Sequence, residues 1–254
     1  MRYSIFETKN KLALTAAKNA AKILKQTIHS KGHATFIMAT GKSQLEFIKN
    51  FTNESSFDWS KTTMFHLDEY IRLPATHPAS FRKYLKERFI DKVHPGIVHL
   101  IKGDTNKPEE ECQRLNKIIA DEEIDAAFVG IGENGHLAFN DPPADFETNE
   151  PFIIVDLDDA CRQQQYKEGW FSDLSDVPKQ AISISIRQII KSKHIICVVP
   201  GKRKAQAVKH CLEKEISVMH PASILRKHAN AFIYLDKSSA SLLSKETKEL
   251  SQIE

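Results

Sequence analysis

Five short apolar runs, Thr35–Ala39, Thr63–Leu67, Ala126–Ile131, His194–Val199 and Ala231–Leu235, recur along the chain with longer segments of helical period between them. Parallel strands read this way when helices cover both of their faces, because every strand residue is then buried and the apolar/polar alternation of a half-exposed strand is lost. Val98–Ile101, Phe152–Val155 and Ile182–Ile186 are weaker runs of the same kind. The intervening segments Lys11–His29, Gln44–Phe51, Ser80–Phe89, Glu109–Asp121 and Lys202–Leu212 repeat apolar residues at three- and four-residue spacing, which predicts amphipathic helices. The alternation predicts an α/β fold: an open, doubly wound, mostly parallel sheet with helices on both faces, of modified Rossmann-like type. No Pro/Ser/Gly linker and no internal repeat divides the sequence, so one domain over residues 1–254 is expected.

Composition agrees with a packed, water-soluble chain. Of 254 residues 41% are hydrophobic and 27% charged, with nine glycines and ten prolines, which excludes disordered, collagen-like and low-complexity classes. Lys and Arg number 36 against 33 acidic residues, and a net charge of +3 is too weak for a nucleic-acid surface. Cys112, Cys161, Cys197 and Cys211 have no CxxC spacing and suggest neither zinc nor disulfides. The N-terminus becomes Lys-rich without the apolar stretch of about 7–15 residues that a signal peptide needs, and no apolar run reaches roughly 18 residues. A cytoplasmic location without membrane contact is therefore expected.

An open parallel sheet binds its ligand beyond the carboxyl ends of the strands, where loops lead into helix N-termini. Four such loops carry unusual residues. Thr40-Gly41-Lys42-Ser43-Gln44 is a small-residue turn, suited to an anion through free backbone N–H groups and equally readable as a plain N-cap. It is not a nucleotide P-loop, since that motif needs a Gly where Phe36 stands. In Asp68-Glu69-Tyr70 a carboxylate at a strand end fits a general base, or else an acceptor for neighbouring loop amides. Gly130-Ile131-Gly132-Glu133-Asn134-Gly135-His136 delivers an imidazole directly after a buried strand, and three glycines there permit positive φ and close approach of a ligand. His136 would otherwise be a core hydrogen-bonder. Gly201-Lys202-Arg203-Lys204 places three cations where a helix dipole does not favour them, so an anion competes with a solvated face as their explanation. Arg162–Tyr166 with Gly169-Trp170-Phe171 either lines a pocket or covers the sheet edge, and His29, His94, His194 and His210 show no ligand spacing.

Taken in order, these blocks resemble the glucosamine-6-phosphate deaminase family, within the wider group that includes 6-phosphogluconolactonases. The resemblance spans most of the chain. It is carried by Thr40-Gly41, by Phe65-His66-Leu67-Asp68-Glu69-Tyr70 with His77-Pro78, and by Gly130–Asn140; Val177-Pro178-Lys179 and Gly201–Ala205 complete it. The lactonase branch typically has Asp-Glu-Arg in the second block and Ala-Ser-Leu-Phe after its Gly-His. Asp68-Glu69-Tyr70 and Ala138-Phe139-Asn140-Asp141 stand there instead, which favours the deaminase side.

The resemblance implies conversion of glucosamine 6-phosphate and water to fructose 6-phosphate and ammonium, with no metal or organic cofactor. His136 would move a proton at the ring oxygen and Asp68 would carry the C2 proton to C1. Thr40, Gly41, Lys42, Ser43 and Lys204 would hold the phosphate. Family members often have an Asp two residues before the His and a Glu five residues after it, where this chain has Asn134 and Asp141, so Asp141 or Glu133 would have to support the imidazole. Lys42 replaces a common Gly. An Arg usual near Tyr166–Trp170 has no obvious counterpart, and Lys167 or Arg162 are the candidates to replace it. The rival readings are a lactonase, an isomerase of another sugar phosphate, and a non-catalytic sugar-phosphate sensor. The expected partner is a small sugar phosphate rather than nucleic acid or a membrane, and the resemblance is compatible with a homo-oligomer.

Overall fold

The structure is a computed structural model and describes residues 1–251. In chain order its elements are β1 (Arg2–Phe6), α1 (Lys9–Lys31), β2 (Ala34–Met38), α2 (Leu45–Phe51), β3 (Thr62–His66) and β4 (Asp68–Tyr70). A helical run follows as α3 (Phe81–Leu85), a π-turn over Lys86–Ile90 and α4 (Asp91–Val93). The remainder is β5 (Ile97–His99), α5 (Pro108–Ile119), β6 (Ala126–Val129), β7 (Phe152–Asp156), α6 (Asp159–Lys167), β8 (Gln180–Ile184), α7 (Ile186–Ile190), β9 (His194–Val199), α8 (Ala205–Glu213), β10 (Ala231–Asp236) and α9 (Lys245–Glu249).

Seven strands form a parallel sheet in the order β1-β10-β9-β6-β2-β3-β5. Successive residues of its central strands face two separate cores. Ile37, Ala127, Val129, Ile195 and Cys197 pack toward α5, α7 and α8, while Phe36, Met38, Phe128, Ile196 and Val198 pack toward α1, α2 and α3. Helix α1 lies close to the sheet because its inner stripe is Ala13, Ala16, Ala17, Ala20 and Ala21 between Leu12 and Leu24. Thr8 caps its start and Gly32, at φ +80°, ends it.

The five strong apolar runs are strands of this sheet, in the α/β arrangement expected. Of the weaker runs, Val98–Ile101 supplies edge strand β5 of this sheet, and the other two are placed differently. Phe152–Val155 and Ile182–Ile186 do not join the parallel sheet; as β7 and β8 they pair antiparallel with β4 in a second, three-stranded sheet. Half-buried β7 and fully buried β8 serve different faces, a distinction that an apolar count does not resolve. Strand β1 falls outside the sequence reading because it is a short, partly exposed edge. Helix Ser80–Phe89 begins one residue later and continues through the π-turn to Val93. No helix among the described residues is long and apolar enough to cross a membrane.

From β2 the chain winds outward through β3 to β5, and from β6 it winds the opposite way through β9 to β10. The loops after the adjacent strands β2 and β6 therefore part company and leave a crevice at the reversal point.

Candidate active site

A small cleft of about 60 Å³ opens at that crevice, and all four loops singled out in the sequence contribute to it. Its walls include Thr40, Gly41 and Ser43 after β2, Asp68 on β4, Gly130, Gly132 and His136 after β6, and Lys204 after β9. The small sheet is what brings β4 to the mouth of the large one: Leu67 N–H donates to Met38 and Ile184 N–H to Leu67, which ties β4 and β8 to the end of β2.

Asp68 and Glu69 are neighbours on β4, and the strand's two-residue period sends them opposite ways. Glu69 turns inward and accepts hydrogen bonds from Ser80 Oγ (2.9 Å) and from the backbone N–H groups of Phe81 (3.1 Å) and Arg82 (2.8 Å). It is thus the loop-amide acceptor, and it fixes the start of α3. Asp68 faces the cleft. Burial, reinforced by the adjacent Glu69 charge, pushes its carboxyl up to about 8.

The third loop is built around close approaches. A Cβ on Gly132 would lie 2.3 Å from the His136 ring, and one on Gly130 would lie 2.7 Å from Gln44 Nε2. Only Gly135 of the three has positive φ, at +92°. His136 Nδ1 is 3.0 Å from Asp141 Oδ1, which leaves Nε2 as the ring nitrogen open to a ligand. Asn134 does not replace a charge on the imidazole: its side-chain oxygen accepts the His136 N–H and its amide donates to Asp141 and Asp158. Burial disfavours the Asp141 charge, but hydrogen bonds from His136, Asn134 and the Asp158 N–H outweigh it and hold the carboxyl below its ordinary value. Asp141, one methylene shorter than Glu, therefore reaches the ring. Glu133 does not; it pairs with Arg203 at 3.3 Å.

Gly41 has φ +91° and is pinned by Tyr84, whose hydroxyl donates to its carbonyl at 2.9 Å. Lys42, expected at the phosphate, is not among the cleft walls: its side chain lies 5.7 Å above the Trp170 ring and its backbone N–H donates to Glu168. Of the three adjacent cations, Lys202 and Arg203 are exposed and Lys204 is buried in the cleft. The Lys204 backbone N–H donates to Gly201, and its ammonium has no hydrogen-bond or ion-pair partner among the described residues. Burial brings its ammonium down to about 8, against the opposing fields of Glu168 and Glu133.

Neither candidate for the missing Arg reaches this end. Arg162 donates to the carbonyls of Leu174 and Val177, and Lys167 is exposed. The same helix instead offers Gln164, Gln165 and Glu168 to the cleft. Gln164 and Gln165 belong to the polar stretch for which a pocket lining or a sheet-edge cover is expected, whereas Glu168, between that stretch and the aromatics, is not singled out in the sequence. The aromatics Tyr70, Phe81, Phe139 and Phe171 form a third small core beneath that side.

His136, Asp141 and Cys161 bring three potential metal donors within 4.8 Å of one another. Burial pushes the Cys161 thiol well up, whereas a metal ligand must be the thiolate. All four cysteines are unpaired and buried.

The Gly41 turn, Asp68, His136 and Lys204 line one cleft at the reversal point of a parallel sheet, which places the chain among α/β proteins with a polar cleft at the carboxyl ends of the strands. More particularly, the chain belongs to the family of glucosamine-6-phosphate isomerases and 6-phosphogluconolactonases, whose pattern matches residues 7–234. It is 35% identical over 244 residues to a glucosamine-6-phosphate deaminase of Bacillus cytotoxicus, covering 96% of this chain and 90% of that one. A Bacillus cereus glucosamine-6-phosphate deaminase is 34% identical over 228 residues, 90% of this chain and 85% of the relative. Among solved structures, a monomeric glucosamine-6-phosphate deaminase superposes with a TM-score of 0.87 at 29% identity, covering 95% of this chain and all of the other. The 6-phosphogluconolactonase of Trypanosoma brucei, at 15% identity and TM-score 0.80 over 96% and 98% of the two chains, shares the fold.

Proposed function

We propose that this cleft converts glucosamine 6-phosphate and water to fructose 6-phosphate and ammonium. Asp68 and His136 line the same cleft as Lys204 and the Gly41 turn, and that juxtaposition carries the reading. The identities to proteins named glucosamine-6-phosphate deaminase support it.

The phosphate sits against Thr40, Gly41 and Ser43, with Lys204 supplying positive charge. This anchors the sugar so that its first two carbons lie near Asp68 and His136, and anchoring of a remote group converts binding energy into orientation. His136, oriented through Nδ1 by Asp141, moves a proton at the ring oxygen and opens the pyranose. Asp68 takes the proton from C2 and returns it to C1, which interconverts aldose and ketose forms; water then replaces the nitrogen at C2 and ammonium leaves. A carboxyl raised to about 8 is a stronger base than an ordinary Asp, and the substrate's own ammonium favours its ionised form on binding.

The test is ammonium release over a panel of hexosamine 6-phosphates beside a lactone-hydrolysis control. Ammonium from glucosamine 6-phosphate, with no acid from the lactone, is expected. Asp68→Asn should stay folded and lose C2 hydrogen exchange in deuterated water by at least about 10²-fold. Exchange at the unmodified rate would end the assignment of Asp68.

A further inference from the structure

The anion end of the cleft holds a fixed carboxylate of its own. Glu168, buried at the end of α6, accepts the Lys42 N–H at 3.3 Å through Oε2 and the Gln164 amide at 3.2 Å through Oε1. Gln164 in turn accepts the Glu133 N–H at 2.8 Å. The chain of hydrogen bonds thus runs from the loop after β6, through α6, to the loop after β2, and it ends on a backbone donor of the anion turn. Beside it Lys204 is buried in the same wall, its ammonium without a partner among the described residues.

A doubly charged phosphate placed between Lys204 and the Gly41 turn would meet Glu168 as a like charge in a poorly solvated site. Two anionic oxygens at hydrogen-bond distance repel unless a proton lies between them, and a carboxylate can only accept. A singly protonated phosphate group supplies that proton: its P–O–H donates to Glu168 while its remaining oxygens accept from Lys204 and the turn. We propose that Glu168 is a specificity-determining residue of the anion end, which accepts a hydrogen bond from the substrate's phosphate and so selects the monoanionic ester. This rests on the sugar-phosphate reading of the cleft. The other titratable groups whose fields reach Glu168 are Tyr70 and Tyr84, both kept neutral by burial that raises their hydroxyls, and Lys204, which remains charged below its value of about 8. Tyr84 already donates to Gly41, and Tyr70 belongs to the aromatic core rather than to the cleft wall.

Inorganic phosphate and sulfate separate charge from donor ability at about pH 5.5, where phosphate is a singly charged donor and sulfate a doubly charged acceptor. Calorimetric titration of the unmodified chain should show phosphate binding at least about tenfold tighter than sulfate, the scale of one charge-assisted hydrogen bond gained against one repulsion. Glu168→Gln keeps the shape and an acceptor oxygen but removes the charge, and should bring the two anions to within about threefold of one another, mainly by tightening sulfate. Glu168→Ala serves if the Gln variant does not fold. Equal binding of the two anions by the unmodified chain, or a preference that persists in the variants, would overturn the proposal. Ammonium release is scored separately: its absence would remove the substrate reading, while the phosphate-to-sulfate ratio would still judge Glu168.

Discussion

At the scale of single residues, the site shows how one strand separates two adjacent carboxylates into unlike roles. Glu69 is satisfied by four donors, Ser80 Oγ and the N–H groups of Tyr70, Phe81 and Arg82, and by a 3.5 Å ion pair to Arg82, whereas Asp68 is left at the cleft wall with a raised pKa. The raised value has a consequence for stability. An unfolded Asp ionises near its ordinary value of 3.8 and the folded Asp68 near 8, so folding is progressively opposed as pH rises through that interval, fully so above it, and not at all below about pH 4. Asp68→Asn removes the titration. It should therefore stabilise the protein at pH 8 by about 1–3 kcal/mol, a Tm gain of several degrees, and give almost none near pH 4. Thermal unfolding at the two pH values measures this, and a gain of equal size at both would contradict the burial of a titrating carboxyl there. The sequence could nominate Asp68 and Glu69 together; their opposite directions depend on the pairing of β4 with β8, which a three-residue strand does not announce.

At the scale of elements, the loops that bear chemistry are held by the small sheet and the short helices more than by their own turns. Phe139 N–H donates to Ser183 Oγ, and the Asn140 amide donates to the carbonyls of Leu137 and Ile184, so the segment after His136 is fastened to β8. Helix α3 is started by two residues, Ser80 as N-cap and Glu69 from a distant strand. An N-cap serine is worth about 1 kcal/mol, whereas a buried carboxylate with several donors leaves all of them unsatisfied when removed. Glu69→Ala should accordingly destabilise by about 3 kcal/mol or more and Ser80→Ala by about 1 kcal/mol, in urea unfolding with unchanged m-value. Similar losses from the two would mean that Glu69 is not the main anchor of α3. The cap at Ser80 is readable from local sequence, while the contribution of Glu69, 11 residues earlier, exists only through the tertiary fold.

At the scale of the whole molecule, two cores on opposite faces of the seven-stranded sheet share its strands, since Ile37 belongs to one and Phe36 and Met38 to the other. A strand cannot leave one core without leaving the other. We propose that the chain unfolds as a single domain: far-ultraviolet dichroism, Trp59 fluorescence and loss of ammonium-releasing activity should follow one coincident denaturant transition. Separate midpoints would divide the small sheet and the cleft from the main sheet.

The sequence by itself determined the parallel strands and their helices, because burial on both faces leaves contiguous apolar runs and helix burial leaves a period near 3.6 residues. It also determined which loops carry unusual chemistry, because glycine, imidazole and clustered charge are costly at strand ends without a purpose. Only the tertiary structure decided how the members of each polar cluster are directed and partnered. The family resemblance already names Asp68 and Lys204, which the structure places on the cleft wall; the choice of Asp141 over Glu133 beside the imidazole, and the unheralded Glu168, follow from side-chain direction and long-range partners. Residues adjacent in sequence differ by a half-turn in direction, and local sequence does not encode what waits on the other side.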